Sequence, residues 1–64
     1  MNGKTDRFCI RRGSDYISVR FDIRNGAYSI EALPRPFARM FDSREDAEQF
    51  RDLACNENDI VETY

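Results

Sequence analysis

The stretch Tyr16-Ile17-Ser18-Val19-Arg20-Phe21-Asp22-Ile23-Arg24-Asn25-Gly26-Ala27-Tyr28-Ser29-Ile30-Glu31-Ala32-Leu33 decides the fold. Ile17, Val19, Phe21 and Ile23 hold one parity; Tyr16, Ser18, Arg20, Asp22 and Arg24 hold the other. Period-two alternation of this length predicts a strand with one face on a core. After Asn25-Gly26 the alternation resumes, with Tyr28, Ile30 and Ala32 on the apolar side. Asn-Gly tolerates the two successive positive φ angles of a type I′ turn, whose twist matches a hairpin. A two-residue loop there pairs Arg24 with Ala27, Ile23 with Tyr28, Phe21 with Ile30 and Val19 with Ala32. It also sets Arg20 opposite Glu31. A slip of one residue would turn every apolar side chain to the wrong face, so the register is strongly specified.

Working outward, Arg7–Arg12 alternates too, and Gly13-Ser14 is the turn that joins it to the next strand. That turn sets Ile10 opposite Ile17 and Phe8 opposite Val19 on the same apolar face. On the other side, Pro34-Arg35-Pro36 ends the third strand. Phe37–Phe41 is expected to be a short fourth strand, with Ala38 and Met40 on the core and Phe37, Arg39 and Phe41 on the opposite face. Ser43 with Asp46 three residues on resembles a capping box, and Glu45 and Asp46 suit the positive end of a helix dipole. Ala47, Phe50, Leu53 and Ala54 share one side of that helix at helical spacing, and Glu45, Glu48 and Asp52 the other. The helix should stop near Cys55-Asn56, and Asp59–Tyr64 alternates as a last strand. The expectation is one α+β domain over residues 1–64, in the order β-β-β-(β)-α-β. A three- or four-stranded antiparallel sheet carries one helix packed on one face. Met1–Asp6 reads as a lead-in.

Composition narrows the chemistry. The 64 residues hold 12 acidic and 10 basic side chains, no His and no Trp. An imidazole base and a His-liganded zinc site are therefore excluded. Gly3, Gly13 and Gly26 are isolated, so there is no glycine-rich phosphate loop. Glu57, Asp59 and Glu62 do not follow the calcium-loop pattern. No catalytic residues, metal or cofactor are expected, and the chain reads as non-enzymatic. Cys9 and Cys55 are too few for a disulfide scaffold, and their positions put them on different sides of the sheet as free thiols. Cys9, between Arg7 and Arg11, is the one thiol whose pKa those charges would lower. No signal-like segment or membrane-length apolar run is present, which suggests a cytoplasmic location.

Charge is unevenly spread along the chain. Residues 1–44 hold nine basic and five acidic groups, a balance of +4, whereas residues 45–64 hold one basic and seven acidic, a balance of −6. This suggests a basic sheet face and an acidic helix face. The face away from the helix has no obvious cover. Tyr16, Arg20, Arg24, Phe37 and Arg39 on it are the candidate partner-binding residues, since Arg and Tyr are enriched at binding hot spots. Glu45, Glu48 and Asp52 are the alternative docking stripe. The plainer readings are cross-strand ion pairs on the sheet and a solvated helix face, with Arg44 and Glu48 as an i, i+4 pair.

Three resemblances follow. Phe41-Asp42-Ser43-Arg44-Glu45-Asp46-Ala47-Glu48-Gln49-Phe50 resembles the strand end, cap and E-x-A-x-x-F helix start of the arm-type DNA-binding domain of phage integrases. That likeness implies sheet-face DNA contacts at Arg11, Tyr16, Arg20 and Arg24. The element order, with Tyr28-Ser29-Ile30-Glu31-Ala32-Leu33-Pro34 leading to the capped helix, is similar to small antitoxins that block mRNA-cleaving toxins. In size, acidity and bare α+β build the chain looks like small phage-encoded inhibitors of bacterial immunity such as anti-CRISPR proteins. That likeness implies steric and electrostatic blocking of a host protein or nucleoprotein complex. A host protein or nucleoprotein is thus the leading expected partner, ahead of nucleic acid and a homodimer, and no membrane is expected.

Overall fold

A computed structural model describes residues 6–64. The lead-in expected over Met1–Asp6 lies, apart from Asp6, outside the described residues. Strands β1 (Phe8–Arg12), β2 (Asp15–Asp22), β3 (Ala27–Leu33) and β4 (Ile60–Thr63) form one antiparallel sheet in the order β3-β2-β1-β4. One helix, α1 (Arg44–Ala54), lies between β3 and β4 in the chain and contacts β1 and β4. This is the α+β architecture expected, with the last strand serving as the fourth.

The β1–β2 turn keeps its expected register, Arg11 opposite Tyr16 and Arg12 opposite Asp15. Gly13 has φ +61°, and Ser14 has none of the positive φ that a type I′ turn would demand of it. This is the pattern of a turn with Gly first. The β2–β3 loop differs from expectation. Asp22 pairs with Ala27, Phe21 with Tyr28 and Val19 with Ile30, so the loop has four residues, Ile23–Gly26. Asn25 does not take the positive φ that type I′ requires; Gly26 alone does, at +63°. Asp22 is the cause. Its carboxylate accepts from the Arg24 backbone N–H at 2.9 Å and from Asn25 Nδ2 at 3.0 Å. Its carbonyl accepts from Asn25 N and Gly26 N. An Asp side chain that captures the N–H two residues on builds its own turn. The register moves by two residues, an even number, so every side chain keeps its face. Ile23 leaves the strand and lies exposed in the loop.

A second difference is larger. Beyond Arg11 the first two strands part, and Arg39–Phe41 occupies the gap. Arg39 N donates to Ile17 O at 2.9 Å, while Phe8 and Phe41 exchange two backbone hydrogen bonds of 2.9 and 2.8 Å. Phe8 thus faces Phe41, not Val19. Pro34 and Pro36 direct the chain into a 3₁₀ turn, Arg35–Phe37, in place of the expected fourth strand. The turn lies over the face opposite α1, against β2. The chain then passes between β1 and β2 and starts α1 on the other side. The bridge at Phe41 also sets side-chain parity. Phe41 is buried with Ile10, Ile17, Ala47 and Val61, and Met40 is exposed, the reverse of the expected facing.

Helix α1 begins as its sequence predicts, with the Ser43 hydroxyl accepting from Asp46 N at 3.1 Å. It ends with Cys55 N donating to Arg51 O. Ala47 is buried and Phe50 half-buried against Phe41, ring centres 5.4 Å apart. Leu53 and Ala54, expected in the core, are exposed. The helix sits over β1 and β4, so the flank that carries them overhangs β2 and β3 without touching them closely.

Two substitutions test this account by urea denaturation. Ile17→Ala empties a fully buried site and is expected to cost about 3 kcal/mol. Gly26→Ala meets no atom within 4 Å, so its expected cost of about 1 kcal/mol comes from the positive φ alone.

Candidate functional site

The face opposite α1 carries Cys9, Arg11, Tyr16, Ser18, Arg20, Glu31 and Glu62 by strand alternation and register. It is not bare. The Arg35 guanidinium lies 4.4 Å from the Tyr64 ring centre and 5.8 Å from that of Tyr16, and donates to the Tyr64 carbonyl. Cys9 beneath is wholly buried. The arginines here have internal partners: Arg11 Nε donates to Glu62 at 3.0 Å, and Arg20 stands 3.9 Å from Glu31. Arg20 faces Ser29 directly and reaches Glu31 on the diagonal, because the loop is two residues longer than expected.

On the other face Arg12 makes a two-pronged pair with Asp59, at 2.9 and 2.7 Å. Asp59 is 4% exposed and also accepts from Asn56 N. The hydrogen bond from Arg12 holds its carboxyl below the usual carboxylate range, against the effect of burial. Two carboxylates of the acidic tail, Asp59 and Glu62, are therefore neutralised by arginines of β1 across the β1–β4 pair. Glu62 and Asp59, weighed above as cation ligands, are each held by an arginine. Among the described residues no cluster of acidic, Cys or His side chains has the geometry to hold a metal ion.

The five sheet residues expected to act together fall in different places. Tyr16 is under Arg35, Arg20 is on the face opposite α1, and Arg24 is in the β2–β3 loop. Phe37 is exposed on the 3₁₀ turn. Arg39 is on the helix side, its guanidinium 5.5 Å from the centre of the Phe41 ring. This is the opposite face from the one expected, because the Phe41 bridge fixes the parity of the segment. In the acidic stripe, Glu45 and Asp52 are exposed and Glu48 is half-buried. Arg51 stands 3.3 Å from Asp52, and Arg44 lies over the Phe8 ring, 5.2 Å away, instead of pairing with Glu48.

The uncovered surface is on the helix side. Val19, Tyr28 and Ile30 of the hairpin, Phe50 and Ala54 of α1, and Arg39 line a groove of about 480 Å³. Phe21 continues its floor, with its ring 4.9 Å from that of Tyr28. Phe21 is 51% exposed, Tyr28 72% and Leu53 86%. Alternation puts Val19, Phe21, Tyr28 and Ile30 on one apolar face and helical spacing groups Phe50, Leu53 and Ala54, and both sets read as core because nothing in the sequence says which strands the helix will cover.

Comparison with known protein families, with curated proteins and with solved structures finds no match for this chain. Among the described residues no helix is long and apolar enough to cross a membrane.

Both thiols are free, and burial raises both pKa values. For Cys9 this overturns the lowering expected from neighbouring arginines: burial, then Glu62, outweigh Arg35 and Arg11. Cys55 is expected to react with a disulfide reagent before Cys9, whose reaction should be slow until urea opens the sheet. Comparable rates in the native protein would contradict this burial order.

Asp59 yields a pH test. Its folded-state pKa is depressed, so its contribution is complete above the unfolded value of ~3.9 and is lost as pH falls through the folded value. Asp59→Asn is expected to lose about 1–2 kcal/mol near neutral pH, below the cost of breaking a fully buried pair because Arg12 is 38% exposed. In urea titrations the gap between wild type and variant should close as pH falls below 4.

Proposed function

We propose that this chain is a non-enzymatic binding protein. It docks on a protein, free or within a nucleoprotein complex, and blocks or bridges it. The observation that carries this reading is the apolar groove between the β2–β3 hairpin and α1, with Tyr28 exposed in its lining and Phe21 exposed beside Tyr28. In a chain that is 34% charged, so many large apolar side chains around one groove mark an interaction site. Aromatic anchors with an arginine beside them have the composition of a binding hot spot. Tyr28 supplies a large ring with a polar tip, Phe21 stiffens it from the next strand, and Arg39 adds a directional charge.

The sheet-face nucleic-acid reading has weaker support. Arg11 and Arg20 are paired with carboxylates, and Arg35 is packed between two tyrosines. An arginine held this way must give up an internal partner before it can neutralise a phosphate. The blocking role of an inhibitor fits a small rigid domain with one docking groove and no catalytic set, and the host partner is defined by its complement to that groove.

The test compares quantitative capture from host extract by wild type, a Phe21→Ser/Tyr28→Ser variant and an Arg20→Glu/Arg24→Glu variant. The expected result is a partner retained by wild type and by the arginine variant, with affinity for the aromatic variant down at least about 30-fold, as for loss of a hot-spot anchor. Both aromatic positions are exposed, so the stability loss should be no more than that of one cross-strand aromatic pair, about 0.5–1.5 kcal/mol, and the domain should stay folded. Capture that survives the aromatic variant but fails in the arginine variant would move the site to the opposite face. Binding to mixed DNA or RNA that collapses between ~50 and ~200 mM salt would favour the nucleic-acid reading.

A further inference from the structure

We infer that the groove takes one amphipathic α-helix of a partner protein, laid beside α1 over β2 and β3 with an acidic residue on the flank that meets Arg39. This rests on the docking reading above and specifies its occupant. The first argument is dimensional. Strands stand about 4.8 Å apart, and a helix with its side chains is about 10 Å across. One helix therefore covers about two strands. Helix α1 contacts β1 and β4, so β2 and β3 are left with a slot one helix wide.

The slot is chemically prepared for such an occupant. Val19, Tyr28 and Ile30 form an apolar floor, with Phe50 and Ala54 on the wall shared with α1. Leu53 stands about 60° round the helix from Phe50 and about 100° from Ala54 at 3.6 residues per turn, beyond the lining itself. Its apolar character has no use in this chain alone, since it is 86% exposed. A helix presenting apolar residues at i, i+3, i+4 and i+7 would bury against floor and wall together. Arg39 supplies the charge preference. It is stacked on Phe41 and has no carboxylate within ion-pair distance among the described residues. Its guanidinium stays solvated until an acidic partner arrives.

Two other occupants fit less well. A second copy stacked face to face would offer this groove the same residues, Phe21, Tyr28 and Arg39 among them, so the groove-lining residues would bring no carboxylate to Arg39. An extended peptide could add to the outer edge of β3, which has a neighbour only on the β2 side. It would lie beside the groove and leave it unfilled.

The experiment is a selection on the full chain from a displayed library of unbiased peptides of about 15 residues, long enough to form an amphipathic helix on binding. The expected outcome is enrichment of apolar residues at helical spacing with Asp or Glu on one flank. Selected peptides should bind Tyr28→Ser at least about 30-fold more weakly, and Arg39→Glu about tenfold more weakly with the acidic preference gone. Amide shifts should fall on Val19, Ile30 and Ala54. Enrichment of alternating apolar residues overturns the helix in favour of strand addition. No enrichment, or enrichment indifferent to Tyr28→Ser, overturns it as well. Self-association of the chain that Tyr28→Ser abolishes assigns the groove to a second copy. Partner capture lost in the Phe21→Ser/Tyr28→Ser variant while helical peptides fail would remove this inference alone. Capture indifferent to that variant would remove the docking reading beneath it.

Discussion

The paired backbone hydrogen bonds between Phe8 and Phe41 are the constraint on which the rest of the molecule depends. They hold Arg39–Phe41 in the gap where β1 and β2 part, and so let the chain pass from one face of the sheet to the other. Before the gap, Arg35 covers Tyr16 and Cys9 on one face; after it, Ser43 caps α1 on the other. The bridge also sets which way Phe41 points. With Phe41 inward, Ile10, Ile17, Ala47 and Val61 close around it as a single core. Backbone groups that would be unpaired in the parting of two strands are satisfied by the inserted segment, which is why a small sheet can tolerate the split.

The same crossing decides where the surface is left open. Because α1 starts beside Phe41 and Phe8, it runs over β1 and β4 and leaves the outer hairpin uncovered. The hairpin keeps its form through its own cross-strand pairs, with Phe21 stacked on Tyr28 and Val19 opposite Ile30. Its apolar face is therefore both stable and exposed, the combination a docking surface requires. On the opposite face Arg11 and Arg20 stand beside carboxylates, and Cys9 is buried.

Electrostatics follow the strand order. The seven carboxylates after residue 44 suggest an acidic lobe when read linearly. Placing β4 beside β1 brings Glu62 to Arg11 and Asp59 to Arg12. Asp59 is the strongest case, since it is buried, doubly bonded by one guanidinium and bonded to the Asn56 N–H that leads into the last strand. Two of those carboxylates are thus brought onto arginines of β1, while Arg39 has no carboxylate within ion-pair distance among the described residues.

Local pattern alone determined β1 to β4, the Gly13 turn, the capped helix and the antiparallel α+β class, because alternation, glycine conformation and N-capping are properties of neighbouring residues; it misread Phe37–Phe41 as a further strand. It also determined which side chains of the β2–β3 hairpin share a face, and the four-residue loop that Asp22 builds moved the register by an even number without disturbing that. Only the tertiary structure decided the fate of those faces. Whether Phe21 and Tyr28 are core or surface depends on which strands the helix covers. Whether Arg39 points to one face or the other depends on a single backbone bridge from Phe41 to a residue 33 positions earlier, Phe8. No local propensity encodes either choice: each follows from contacts between segments that are distant in the chain, so the groove became legible only once the sheet was assembled.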